Sequence, residues 1–287
     1  MKKKMTPYLL LVPQLILGAI FLIGLGTGII QSLGVIPAFG LTEPTLDYYK
    51  EVLTRPDALQ SLKYSLYIAF VSAFFATLTG TLLSALFVWK KKTKGGIMRI
   101  VQIPIIVPHV VVALFVVNIL SQNGILARVC AMLGLITEQQ QFPLLIYDTN
   151  GLGVILAYLW KEIPFIIYFV IALMANINGS LGEAAVNLGA TNFQSFVKVT
   201  LPLCMNTILS GFLIVFVFAL GAYELPFLLG ATVPKALPIL AYIEYSKPDM
   251  LARPYAMAIN GIIVVLSLLT AVVYFILLRR NTQKLAG

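Results

Sequence analysis

The chain has 287 residues, 60% of them hydrophobic and 11% charged, with a mean hydropathy of +0.95. Soluble domains carry about 25% charged residues, so an ordinary water-soluble globule is excluded and an all-α polytopic membrane protein is predicted. The net charge of +9 does not point to nucleic acid, because the basic residues gather at the ends of apolar runs, as membrane topology requires, and no basic patch interleaved with aromatics appears.

A spanning helix needs about 20 mostly apolar residues, and six such stretches are predicted, at about 8–30, 62–89, 97–120, 151–174, 205–230 and 255–278. Short alternating segments of the membrane β-barrel kind are not seen. The first stretch follows Lys2, Lys3 and Lys4 and imitates a signal peptide, but it is too long for that and is read as an uncleaved span. Between spans one and two, TLDYYKEVLTRPDALQSL suggests one or two short surface helices. Span two ends in a basic turn from Lys90 to Lys94, and span three carries Pro104 and Pro108, which bend a spanning helix. A short helix is predicted at ILARVCAMLGL before span four. Cys130 and Cys204 match no metal or redox spacing and are read as small apolar side chains. No internal repeat, second domain or metal site is read.

Charge counting orients the chain. With the N-terminus inside, the inner side carries Lys2–Lys4, Lys90–Lys92, Lys94, Arg99, Lys198, Arg279, Arg280 and Lys284. The outer side carries Lys50, Arg55, Lys63, Arg128, Lys235, Lys247 and Arg253. Twelve against seven places both termini in the cytoplasm, together with the loop between spans four and five.

That loop, residues 180–202, reads SLGEAAVNLGATNFQSFVKVTLP. Ser180 and Glu183 have the spacing of a capping box, as do Thr191 and Gln194. Gly189 separates the two short helices so predicted. Phe193, Phe196, Val197 and Thr200 fall at the spacing of one helical face, and Pro202 ends that helix or opens the next. A pair this short is not stable alone in water, so its apolar faces need a partner.

Glu183-Ala184-Ala185, Gly189, Val199 and Leu201-Pro202 stand at the spacing of the EAA motif, and the chain resembles the membrane subunits of ABC importers. Isoleucine is usual in that family at the position of Val199. The resemblance implies coupling helices between spans four and five that dock in a cleft of an ATP-binding subunit. Glu183, Ala184, Ala185, Asn187, Leu188, Gly189 and Ala190 would then form the ATPase-coupling surface. It further implies an ATPase dimer that binds ATP and Mg, a second permease read as a different chain, an extracytoplasmic solute-binding protein, and a bacterial inner-membrane location. No cofactor is expected on this chain. Glu183 has a second reading, as a cap for its own helix.

Charged residues inside spans mark candidate path residues, because each costs about 2.5–3.5 kcal/mol at mid-helix. Trp160, Lys161 and Glu162 lie in span four, and Tyr223 and Glu224 toward the outer half of span five. Consecutive helical residues point about 100° apart, so Lys161 and Glu162 need not pair; lining of the path and structural ion pairing both remain open. GAYELPFLLG resembles the spermidine/putrescine-type branch. Glu162, Glu224 and Tyr223 would suit an organic cation such as a polyamine, although Lys161 opposes one; phosphonates, sugars and other small solutes are alternatives. His109, the lone histidine, is read as a packing element.

There is no G-x-x-x-x-G-K-[ST] phosphate loop and no nucleophile elbow, so ATP hydrolysis must come from another chain. The rival reading is an ion- or proton-coupled carrier or channel, for which no chain of titratable groups can be assembled.

Overall fold

A computed structural model describes residues 2–286, with side chains over 8–279. The charges of Lys2, Lys3, Lys4, Arg280 and Lys284, which enter the orientation argument, lie outside the described side chains. The chain is helical. Among the described residues the strand-like pairing is confined to one bridge, Ile36 to Leu41. In order, the helices are α1 (Lys2–Ser32), α2 (Asp47–Thr54), α3 (Pro56–Trp89), α4 (Gly96–Ile106), α5 (His109–Leu120) and α6 (Ile125–Met132). There follow α7 (Leu152–Ile177), α8 (Glu183–Asn187), α9 (Asn192–Ser195), α10 (Leu201–Gly221), α11 (Glu224–Leu229), α12 (Leu237–Tyr245) and α13 (Arg253–Ala286).

Six stretches are long and apolar enough to cross a membrane, as predicted: Tyr8–Ser32, Pro56–Trp89, His109–Met132, Leu152–Asn187, Asn192–Gly221 and Met250–Arg279. The most apolar windows of the first and last contain no buried residue. Such surface is tolerated in a bilayer, because lipid tails are as apolar as leucine.

Three boundaries differ from the sequence expectation. The predicted span at 97–120 is two helices, because Pro108 pushes Val107 out of the α region (ψ 128°) and the chain leaves helix there. The predicted span at 205–230 stops at Gly221, where Ala222 is extended, and resumes as α11. Spans four and five also run further toward each other, through π-helical turns at Asn178–Gly182 and Phe196–Thr200.

The contacts divide the chain into two compact units. One gathers residues up to Leu59 with Leu237–Val265; the other gathers Gln60–Ala236 with the residues from Leu266 on. The first is held by polar clips. Ser32 and Tyr49 share a hydrogen bond of 2.7 Å, and Gly261 lies so close to the Tyr49 hydroxyl that no side chain fits there. Arg55 pairs with Asp57 at 2.7 Å, lies 3.8 Å from the buried Glu244, and covers the Tyr255 ring at 4.7 Å. Lys247 supplies Glu244 with a second cation at 2.6 Å, so the buried carboxylate is compensated rather than orphaned. Hydrogen bonding to Asp57 pushes the Arg55 guanidinium further above its ordinary range, so this cation is permanent.

In the second unit α7 is central and packs on α4, α5, α10 and α11. Its buried positions Val154, Tyr158, Glu162, Ile166, Val170 and Met174 recur every four residues, a row that winds gradually around the helix as neighbours enclose it on more than one side. Ile166 is fully buried and touches two glycines. A Cβ at Gly80 would stand 2.7 Å from both Cβ and Cγ2 of Ile166, whereas one at Gly211 would meet the Cδ1 tip of Ile166 at 2.8 Å and the Phe169 ring at an ordinary 3.4 Å. Gly80→Ala is therefore expected to destabilise by about 1–3 kcal/mol and Gly211→Ala by less. Ile166→Val, which removes the tip, should relieve the second substitution but not the first. Thermal unfolding midpoints in detergent check this ordering, and equal sensitivity of both glycines to Ile166→Val would contradict it.

Candidate functional site: a membrane cavity and an interhelical hairpin

The segment from Asn178 to Thr200 forms a helical hairpin. Its first arm is continuous with α7, so the expected start at a Ser180–Glu183 capping box is not observed. Residues 178–182 are already helical, and the Ser180 hydroxyl donates back to the Asn176 carbonyl at 2.8 Å. Glu183 caps nothing; it is exposed on α8, beside a cavity that Asn178, Lys91 and Asn192 also line.

The turn at Gly189 is as expected, with φ +97°. The Ala190 amide donates to the Ala185 carbonyl at 3.1 Å and the Gly189 amide to Val186 at 2.9 Å. This is the Schellman arrangement that closes a helix on a glycine. The second box forms fully. Thr191 Oγ1 accepts from the Gln194 amide at 3.2 Å, and Gln194 Oε1 accepts from the Thr191 amide at 3.0 Å.

The expected apolar face is corrected. Phe196 and Thr200 are buried, but Phe193 and Val197 are exposed, and Ser195 takes their place inside. The widened turn at Phe196–Thr200 shifts the register, so an α-helical spacing does not apply through it. The Ser195 hydroxyl donates to the Gly182 carbonyl at 2.8 Å and ties the two arms together. Phe196 meets the Trp89 ring edge-on at 5.0 Å. The tip leaves Leu181, Val186, Leu188 and Phe193 uncovered by the rest of the chain, with Leu188 90% exposed.

A cavity of about 250 Å³ lies among α4, α5, α7 and α10. Its polar groups are His109, Tyr158, Lys161 and Glu162, set among apolar side chains that include Phe165 and Phe218. Lys161 Nζ donates to the Val107 carbonyl at 2.5 Å. That oxygen caps the broken end of α4 and has no helical donor, because the chain is extended at 107. His109 stacks on Phe218 at 5.4 Å, and its Nδ1 lies 3.2 Å from Glu224 at the start of α11. Among the described residues, both carboxyl oxygens of Glu162 are buried without a hydrogen-bond partner, as is the Tyr158 hydroxyl.

Of the candidate path residues, Lys161 and Glu162 line this cavity and Glu224 reaches its His109. Trp160 points elsewhere, 41% exposed, and Tyr223 stacks on Phe227 at 4.9 Å. Lys161 and Glu162 do not pair with each other among the described residues, in keeping with their angular separation. His109, expected to be a packing element, does stack, but it also bears a carboxylate contact. Its position directly after Pro108, at a forced helix break, was the signal available in sequence. Cys130 and Cys204 are both unbridged, and no group of three or more metal-ligating side chains occurs among the described residues.

Residues 76–283 match the family described as the binding-protein-dependent transport system inner membrane component. The chain belongs to that family. It is thus a permease subunit of an ABC importer and a multi-pass protein of the inner membrane, a component that is not itself catalytic. The permease is 26% identical over 231 residues to the sulfate transport system permease protein CysT of Salmonella typhimurium, covering 80% of this chain and 79% of that one. It is 28% identical over 182 residues to a probable molybdenum ABC transporter permease protein of Haloferax volcanii, covering 61% and 62%. Its fold matches a bacterial ABC transporter involved in the import of the acidic polysaccharide alginate, with a TM-score of 0.78, 22% identity and coverage of 97% and 96%. A second match is to the MetNI methionine ABC transporter, with a TM-score of 0.56, 18% identity and coverage of 78% and 95%. The two curated relatives are named for sulfate and molybdenum, so the expected likeness to the polyamine branch finds no support in them.

Proposed function

We propose that this permease forms half of the path of an ATP-driven importer of a small oxyanion, paired with a second permease of different sequence. An extracytoplasmic protein delivers the solute, and an ATPase dimer, which binds ATP and Mg, drives the cycle. Both termini and the 178–200 hairpin face the cytoplasm, and residues 183–190 seat in the ATPase.

The observation that carries the coupling assignment is the apolar tip of the hairpin. Leu181, Val186, Leu188 and Phe193 stand uncovered on a scaffold closed by a capping box, a Schellman turn and the Ser195–Gly182 bond. Such a surface calls for a protein partner. Because α7 runs into α8 without a break, a push on the tip is delivered to the helix that carries Lys161 and Glu162. The oxyanion assignment is favoured by Lys161 and His109 in the cavity wall and by the names of the curated relatives. His109, Tyr158, Lys161 and Glu162 gather at this one cavity, which suits a binding point better than a proton relay across the spans.

Replacing residues 180–202 by a neutral linker is expected to abolish uptake in reconstituted vesicles while the protein still inserts. Uptake that persists would sink the coupling assignment and return the ion-coupled carrier as the better reading.

A further inference from the structure

Among the described residues, Glu162 is a buried carboxyl group with both oxygens unpartnered. It is 4% exposed and lines the cavity. Tyr158, one turn earlier on the same face, adds a second unpartnered hydroxyl. A buried polar group left without a hydrogen bond is costly, and a buried carboxylate more so. The cavity's apolar walls, Phe165, Ile214 and Phe218, offer no donor. About 100° around the same helix, Lys161 offers the opposite character, with ammonium protons beyond the one given to Val107.

A solute that is only an oxyanion would satisfy Lys161 and His109 but set acceptors against the Glu162 carboxyl. A plain organic cation would satisfy Glu162 and Tyr158 but meet Lys161. One class of solute answers both walls. We propose that the cavity admits a small zwitterion with an oxyanion group at one end and an ammonium group at the other. The oxyanion faces Lys161 and His109, and the ammonium faces Glu162 and Tyr158 with the ring of Phe165 beside it, where a cation is favoured. The volume of about 250 Å³ falls below the roughly 300–1,000 Å³ of drug-sized pockets, so the solute is short. This rests on the oxyanion reading above and adds the second charged end.

The test uses the full transporter with its binding protein in proteoliposomes and four labelled probes: 2-aminoethanesulfonate, 2-aminoethylphosphonate, sulfate and putrescine. Uptake of at least one zwitterion is expected. Glu162→Gln should lower it at least tenfold, and Glu162→Asp, which keeps the carboxyl, should retain a measurable part. Assembly of each variant is checked by size exclusion. Sulfate uptake alone, equal in wild type and Glu162→Gln, would overturn the zwitterion and leave the oxyanion importer standing. Putrescine uptake alone, or uptake of none of the four, would overturn both. Zwitterion uptake that Glu162→Gln leaves unchanged would overturn the assignment of its ammonium end to this cavity.

Discussion

Gly189→Val is expected to cut solute-stimulated ATP hydrolysis by the assembled transporter to less than a tenth, with the permease still inserted. A side chain at 189 meets no atom within 4 Å, so crowding is not the cause. The cause is the backbone. Gly189 has φ +97°, a conformation that is a genuine outlier for a β-branched residue and costs an ordinary L-residue about 1–2 kcal/mol. The two amide bonds of the turn, from Gly189 to Val186 and from Ala190 to Ala185, require that conformation. Relaxing it would swing α8 relative to α9 and misplace Leu188 and Phe193, the exposed apolar side chains of the tip. The effect should be graded, with Asn the mildest replacement because it tolerates positive φ, then Ala, then Val. Stimulated and basal ATPase rates of purified complexes measure this. A flat series, or full stimulation in the Val variant, would remove the turn from the coupling assignment.

The second large effect is expected at Lys161. Lys161→Met removes a cation that costs about 2.5–3.5 kcal/mol at mid-helix and so favours the inserted protein. It also orphans the Val107 carbonyl at the end of α4, a loss of about 1–3 kcal/mol. The first term acts on insertion and the second on folding, so the unfolding midpoint of the inserted protein should fall modestly. Uptake should fall at least tenfold, because the cavity loses its fixed cation. Lys161→Arg keeps charge and donors and should retain part of the activity. A lowered midpoint with normal uptake would mean that Lys161 only clips the broken helix to α7.

The two capping boxes show what a local pattern can and cannot convey. Both have the required residue types at the required spacing, yet only Thr191–Gln194 forms. Gly189 turns the chain just before Thr191, which leaves the first amides of α9 in need of acceptors. Ser180 sits inside a helix whose amides are already bonded, so its hydroxyl turns back to Asn176. The same contrast separates Pro104, accommodated within α4, from Pro108, which ends it. A proline's restriction on the preceding residue is local. Whether a helix absorbs it depends on what can serve the carbonyls set loose, and at Val107 that is Lys161, 54 residues on.

The sequence by itself determined the membrane class, the six spans and the turn at Gly189, because apolar length, helix breaking and capping act within a few residues of chain. Only the tertiary structure decided that Lys161 and Glu162 share a cavity with His109, that Glu224 answers His109, and that Trp160 and Tyr223 lie outside it. Those relations depend on how α4, α5, α7, α10 and α11 pack. A charged residue in a span declares that it needs a partner, but packing alone selects which partner it finds.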